Sequence, residues 1–175
     1  EEILRLTSLE RMVRHFESAP PAQEAPAPPV ESTASTTPEE FAPALEAALP
    51  GLGITAGDVL LVHSFLGTLL AAHANPEALC ERLMGTLRER LGPPGTLVMP
   101  TFARAFTRKG SFDRENTPSE MGVLTEHFRR QPGVRHSRHP GHRFSALGAH
   151  AEELAACDCR SAFGPGSPLH VMHRL

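Results

Sequence analysis

The spacing of apolar positions changes several times along the chain. Ile3, Leu6, Leu9, Met12, Val13 and Phe16 recur near the helical period, and Thr7 to Glu10 ("TSLE") has the form of a capping box. The pattern then vanishes. Residues 19–38, "APPAQEAPAPPVESTASTTP", hold almost no large apolar side chain and read as an extended, semi-stiff linker. From there the pattern returns. "TTPEEFAPALEAALPGLG" predicts a helix, with Thr37 as cap, Pro38 in the first turn, Glu39 and Glu40 at the positive end, and Gly51 or Gly53 closing it. In "GDVLLVHSF" a turn precedes an unbroken apolar run, Val59 to Val62, short enough to be a buried strand. "NPEALCERLMGTLRERLG" predicts a helix capped by Asn75, with Pro76 at its first position and Gly92 past its end. "GPPG" is a turn, and "TLVMPTF" a second apolar strand. Strand, helix and strand at this spacing form a βαβ unit with parallel strands.

The second half is more polar. Residues 103–117, "ARAFTRKGSFDRENT", read as a long polar loop, of the kind that carries function on a rigid scaffold. "TPSEMGVLTEHFRRQPG" predicts a helix capped by Thr117 or Ser119. "RFSALG" predicts a strand and "AHAEELAAC" a short helix. "RSAFGPGSPLHVMHRL" is Gly/Pro-rich, and no element is assigned to it. The alternation is that of an α/β fold. Three or four strands make a thin sheet, so the fold is expected to be incomplete, with residues 39–175 as its N-terminal part. An isolated helix as short as residues 1–18 is marginal in water, so it is expected to be the tail of an upstream domain. It resembles the end of an acyl-carrier-type domain.

Composition narrows the classes. A net charge of −3 offers no basic surplus for nucleic acid. No apolar run approaches the ~18 residues of a membrane span. The three cysteines, Cys80, Cys157 and Cys159, are odd in number and come without a secretory signal, which fits a reducing cytoplasm rather than a disulfide scaffold. "GxSxG", "GxxxxGK[ST]" and "GxGxxG" are absent, so neither a nucleophile elbow nor a P-loop or dinucleotide fingerprint applies.

Four stretches remain as candidate chemistry. "VHSF" puts His63 and Ser64 at a strand terminus, where ligands bind in open α/β sheets. "MPTF" ends the second strand, with Pro100 stopping the ladder and Thr101 at its edge. "TPSEMG" opens a helix, whose free amides attract anions, although Glu120 there is also ordinary dipole compensation. "HSRHPGH" holds His136, His139 and His142 and admits a metal site, a basic loop or a general base. Pro140 prevents a regular helix there, and no cysteine stands at ligand-like spacing, which weakens the metal.

Taken in order, "GDVLLVHSFL", "GPPGTLVMPTF", "FDRENTPSEMGVLTEHFRRQPGVRHSRHPGHRFSALG" and "AFGPGSPL" resemble the aminoglycoside 3-N-acetyltransferase family, from about Gly57 to Leu169. The resemblance implies that family's α/β fold, truncated at the C-terminus. It implies acetyl transfer from acetyl-CoA, without a metal, to an amine of an aminoglycoside-type antibiotic or related natural product. His139 matches the family's general base in the pattern "RSxHP". His63, Ser64, Phe65 and Ser137 match the coenzyme side, and Ser119, Glu120 and His142 the acceptor side. The chain departs from the pattern at His136 (usually Arg), Arg143 (usually Ser) and Phe65 (usually Ser). An arginine at 143 is expected to depress the base or repel a cationic acceptor. The glutamate that supports the family's base lies in a further stretch absent from this chain. A second expectation therefore stands beside the enzyme: a catalytically inactive binding or scaffold domain of a multidomain biosynthetic protein.

Overall fold

In the computed structural model, residues 38–67, 75–103 and 110–175 are described. The helix expected over residues 1–18, the linker up to residue 37 and the Thr37 cap lie outside them. The order is α1 (Pro38–Ala48), a 3-10 turn (Pro50–Leu52), β1 (Val59–Leu61), α2 (Pro76–Leu91), β2 (Thr96–Pro100), α3 (Val123–Arg129), β3 (Arg135–His136), β4 (Phe144–Gly148), α4 (Ala151–Ala156) and α5 (Pro168–Met172).

The four strands form one sheet in the order β1-β2-β4-β3. β1 runs parallel to β2, with Val59 opposite Thr96, as the βαβ pattern predicts. β4 runs antiparallel to β2, placing Phe144 opposite Pro100 and Gly148 opposite Thr96. β2 is the centre and is buried along its whole length. Its alternating residues serve two cores. Leu97 and Met99 pack with Leu79, Leu83 and Leu87 of α2 and Leu124 and Phe128 of α3. Val98 faces the other way, with Ala146, Leu154 and Val171 under α4 and α5. Period two in the strand thus builds helix–sheet–helix layers.

α2 follows its sequence signals closely. The Asn75 side chain accepts from the Ala78 N–H at 3.1 Å, Pro76 takes the first turn, and Gly92 ends the helix at φ 63. α1 ends at Ala48, and Gly53, at φ 75, closes the 3-10 turn that follows. Three expectations need correction, and one strand was not expected. β1 is half-buried, because it is an edge strand among the described residues. α3 begins only at Val123: Ser119 does not cap it, because the Ser119 hydroxyl accepts the Met121 N–H locally, and Glu126 reaches back to accept the Ser119 N–H at 2.7 Å. The Gly/Pro-rich tail does carry a helix, α5, whose Ser167 cap accepts from the His170 N–H at 3.2 Å, with Pro168 at its first position. β3, two residues long, pairs with β4 and has no pattern of its own.

Candidate active site

The sheet topology collects the candidate residues at one end. β1 and β2 are parallel and leave the sheet there, into His63–Phe65 and Thr101–Phe102. β3 leaves at the same end and β4 enters there, so the seven-residue connection "SRHPGHR" (residues 137–143) lies beside them. Past Pro100 the ladder continues for one bond, the Thr101 N–H donating to the Arg143 carbonyl at 2.8 Å.

The connection is held from inside by Ser137. It is buried, its N–H donates to the Phe144 carbonyl, and its hydroxyl accepts the Phe144 N–H at 2.9 Å. Pro140 then turns the chain so that His139 folds back on it. Its Nδ1 accepts the N–H groups of Gly141 at 3.1 Å and His142 at 2.9 Å. With Nδ1 an acceptor, the ring proton sits on Nε2, which donates to the Arg160 carbonyl at 3.2 Å. The His142 ring stands edge-on to His139 at 5.2 Å, to Phe102 at 5.1 Å and to Phe163 at 5.9 Å. Its Nδ1 is buried without a hydrogen-bond partner. Phe163 is 74% exposed, an aromatic lip beside this pair.

Ser119 and Glu120 are drawn to the same end. The Glu120 N–H donates to the Phe102 carbonyl at 2.8 Å, so one residue touches both the Ser119–Glu120 segment and the histidine turn. Phe102 was legible in the sequence only as the last letter of "MPTF". Ser64 and Phe65 share a small cavity of about 120 Å³ with Met121–Leu124, which brings the end of β1 next to the Ser119–Glu120 segment. Phe65 is 91% exposed and His63 is exposed. Ser119 and Glu120 also line a wide groove of about 910 Å³ with Glu126, His127 and Arg130.

His136 and Arg143 are not site-facing. His136 is buried, its Nδ1 hydrogen-bonded to the Ser145 hydroxyl at 2.8 Å and its Nε2 3.6 Å from a Glu115 carboxylate oxygen. Ser145 is hydrogen-bonded in turn to the Thr101 hydroxyl at 2.7 Å. Burial, only partly opposed by Glu115, lowers the His136 pKa to about 4, so the ring is neutral. Arg143, expected to depress the base or repel a cationic acceptor, is instead fully buried. Its guanidinium donates to the Thr101 carbonyl and hydroxyl and to the carbonyls of Arg114 and Thr117. Burial, then the charge of Arg129, lowers its pKa to about 10, still charged at neutral pH. Two of the three departures from the family pattern, His136 and Arg143, therefore fall in one interior network beneath the site.

That network continues into α3. Glu126 accepts from Arg129, Arg130 and the Ser119 N–H, and Arg129 also donates to the Glu115 carbonyl. Burial raises the Glu126 pKa, but those donors outweigh it and bring it down to about 2. No group of three or more His, Cys, Asp and Glu gathers into a metal-binding cluster among the described residues. Nor is any helix among them long and apolar enough to cross a membrane.

The layered α/β domain gathers a histidine turn, an aromatic lip and the Ser119–Glu120 segment at one sheet end, outside the carboxyl ends of β1 and β2, where open α/β sheets bind ligands. The chain belongs to the aminoglycoside 3-N-acetyltransferase family, whose model matches residues 61–175. Aminoglycoside N(3)-acetyltransferase IV of Salmonella sp. is 36% identical over 130 residues, 73% of this chain and 47% of that protein. The apoenzyme structure of aminoglycoside acetyltransferase AAC(3)-IVa superposes with a TM-score of 0.63 at 33% identity, over 77% of this chain and 50% of that one. A mutant of that enzyme, solved with apramycin, gives 0.60 at 34% identity over 76% and 50%. AAC-IIIb, solved as a binary complex with CoASH, gives 0.60 at 27% identity over 78% and 55%. The chain spans about half the length of these relatives.

Proposed function

We propose that this end of the sheet serves acetyl transfer from acetyl-CoA to an amine of an aminoglycoside-type antibiotic or a related natural product. The observation that carries the reading is the junction at Phe102, where the Glu120 segment and the His139–His142 turn meet. Relatives solved with CoASH and with apramycin support the two ligand classes.

In this reading His63, Ser64 and Phe65 form the coenzyme side, and Ser137 sets the turn beneath it. Ser119, Glu120 and His142 form the acceptor side, where Glu120 attracts the polycationic acceptor. An ammonium group has no lone pair, so a proton must leave before attack. His139 takes it. The freed nitrogen lone pair adds to the thioester carbonyl, the C–S bond breaks, and CoA thiolate departs and is protonated as the amide forms. In the resting arrangement the Nδ1 of His139 is committed to two backbone amides and Nε2 carries the proton. The base therefore works only after the ring turns off Gly141 and His142, exposing the Nδ1 lone pair to the acceptor. Catalytic hydrogen bonds commonly form only in the ligand complex. An acetyltransferase of this kind would protect its host against the antibiotic.

A second reading has one observation in its favour. The Nδ1 of His142 has no hydrogen-bond partner beside His139, so with its proton on Nε2 His142 would be the base and His139 its support. Thiol release from acetyl-CoA with apramycin as acceptor separates the two. In the first reading His139→Asn loses about 100-fold or more in turnover and His142→Asn chiefly raises the acceptor KM. The second reading reverses those effects. If wild-type protein binds both ligands without releasing thiol, the scaffold role replaces the enzyme.

A further inference from the structure

We propose that Arg143 is a positioning residue that sets the acceptor-side loop against the histidine turn, an inference that rests on the acetyl-transfer reading above. Burying a guanidinium is costly, and a side chain serving only to fill the sheet end would be apolar. What Arg143 does instead is join three segments. Its Nε donates to Thr101 at the end of β2, its Nη1 to the Arg114 carbonyl at 2.8 Å and its Nη2 to the Thr117 carbonyl at 2.8 Å. Its own backbone continues the ladder from Thr101 and follows directly on His142. The Phe112 ring lies 5.4 Å from the guanidinium carbon.

The segment that Arg143 grips is stiff in itself. The Asp113 carboxylate accepts the N–H groups of Glu115 and Asn116 at 2.8 Å, and the Thr117 hydroxyl accepts the Asp113 N–H at 2.8 Å. A stiff turn moves as one body, and it leads within two residues to Ser119. On the far side Ser119 is tied to Glu126. The placement of Ser119 and Glu120 relative to His139 and His142 is therefore set by where the guanidinium holds Arg114 and Thr117. The planar fork reaches both carbonyls and Thr101 together, which the single ammonium of a lysine does not.

The test is Arg143→Lys, read in two ways. Hydrogen exchange at the amides of Ser119 and Glu120, whose partners Glu126 and Phe102 lie outside the stiff turn, is expected to quicken about tenfold or more while the β2 amides keep wild-type protection. Calorimetric affinity for apramycin is expected to fall about tenfold while that for acetyl-CoA stays within about twofold, because His63, Ser64 and Phe65 follow β1, and Ser137 is held by its own bonds to the Phe144 backbone. A merely structural role would weaken both ligands alike. Unchanged exchange at Ser119 and Glu120, or equal loss of both affinities, overturns the inference. If wild-type protein binds neither ligand, the acetyl-transfer reading fails, and with quickened exchange the clamp survives as a loop anchor alone. Should Arg143→Lys not fold, Phe112→Leu is expected to shift the same readouts in the same direction by about threefold, and no shift there counts against the clamp.

Discussion

At one end of the sheet Gly148 presses against β2 so closely that an ideal Cβ on it would sit 2.1 Å from the Gly95 carbonyl oxygen. At the other end, where β2 leaves the sheet, the strands are joined by Arg143, Thr101, Ser145, Ser137 and His136 through hydrogen bonds. The first end is closed chiefly by backbone contact at Gly148, with the Thr96 hydroxyl accepting the His150 N–H. The second is closed by buried polar groups, each holding a named partner. Backbone contact tolerates no adjustment, whereas a polar network can carry loops outward and keep them in register. That is why the histidine turn and the Ser119–Glu120 segment sit at the second end.

The contrast is broken most sharply at the first end. Gly148→Ala places a methyl group into backbone at φ 129, and a loss of about 4 kcal/mol in urea unfolding is expected. At the second end, Arg143→Met leaves the carbonyls of Arg114 and Thr117 without their donor, and the expected loss is about 2–3 kcal/mol. A loss larger than that of Gly148→Ala would mean that the polar end, not the glycine contact, dominates the fold.

Acid acts on the polar end through His136 and Glu126. The folded pKa of His136, about 4, lies below its usual 6.5, so between those values the unfolded chain binds more protons and stability falls as pH falls. Between pH 7 and 4.5 a loss on the order of 2 kcal/mol is expected in thermal or urea melts, and His136→Gln should flatten that leg. Glu126 has the same sign at lower pH: its pKa is held near 2, so its contribution is lost from about pH 4.5 downward. A stability curve flat from pH 7 to 4.5 would show that His136 is not buried neutral. The smallest effect is at Ser137, where Ser137→Ala removes one acceptor for the Phe144 N–H and costs about 1 kcal/mol.

The sequence was legible where a local signal and its tertiary setting agree. Asn75, Pro76 and Gly92 delimit α2 as read, and Val59–Leu61 and Thr96–Pro100 pair in parallel. It misled where local and distant partners compete. Ser119 looks like a cap, but its N–H belongs to Glu126 seven residues on, which delays α3. Ser167 looks like part of a Gly/Pro-rich coil, yet it caps α5. The site shows the same division. His139, its proline and the Ser119–Glu120 pair were visible as motifs, whereas the partner of Phe102 is set by topology. Arg143 was misread because charge alone does not say which way a side chain faces. Three carbonyls from two distant segments drew it inward, and no spacing in the sequence encodes them.

The central claim is that the end of the sheet held by this polar network activates an amine through His139. The most direct measurement is thiol release from acetyl-CoA with apramycin, comparing wild-type protein with His139→Asn at matched folding stability. The account predicts steady release by the wild type and a loss of about 100-fold or more in the variant, with the acetyl-CoA KM little changed. Equal turnover in the two proteins would contradict it.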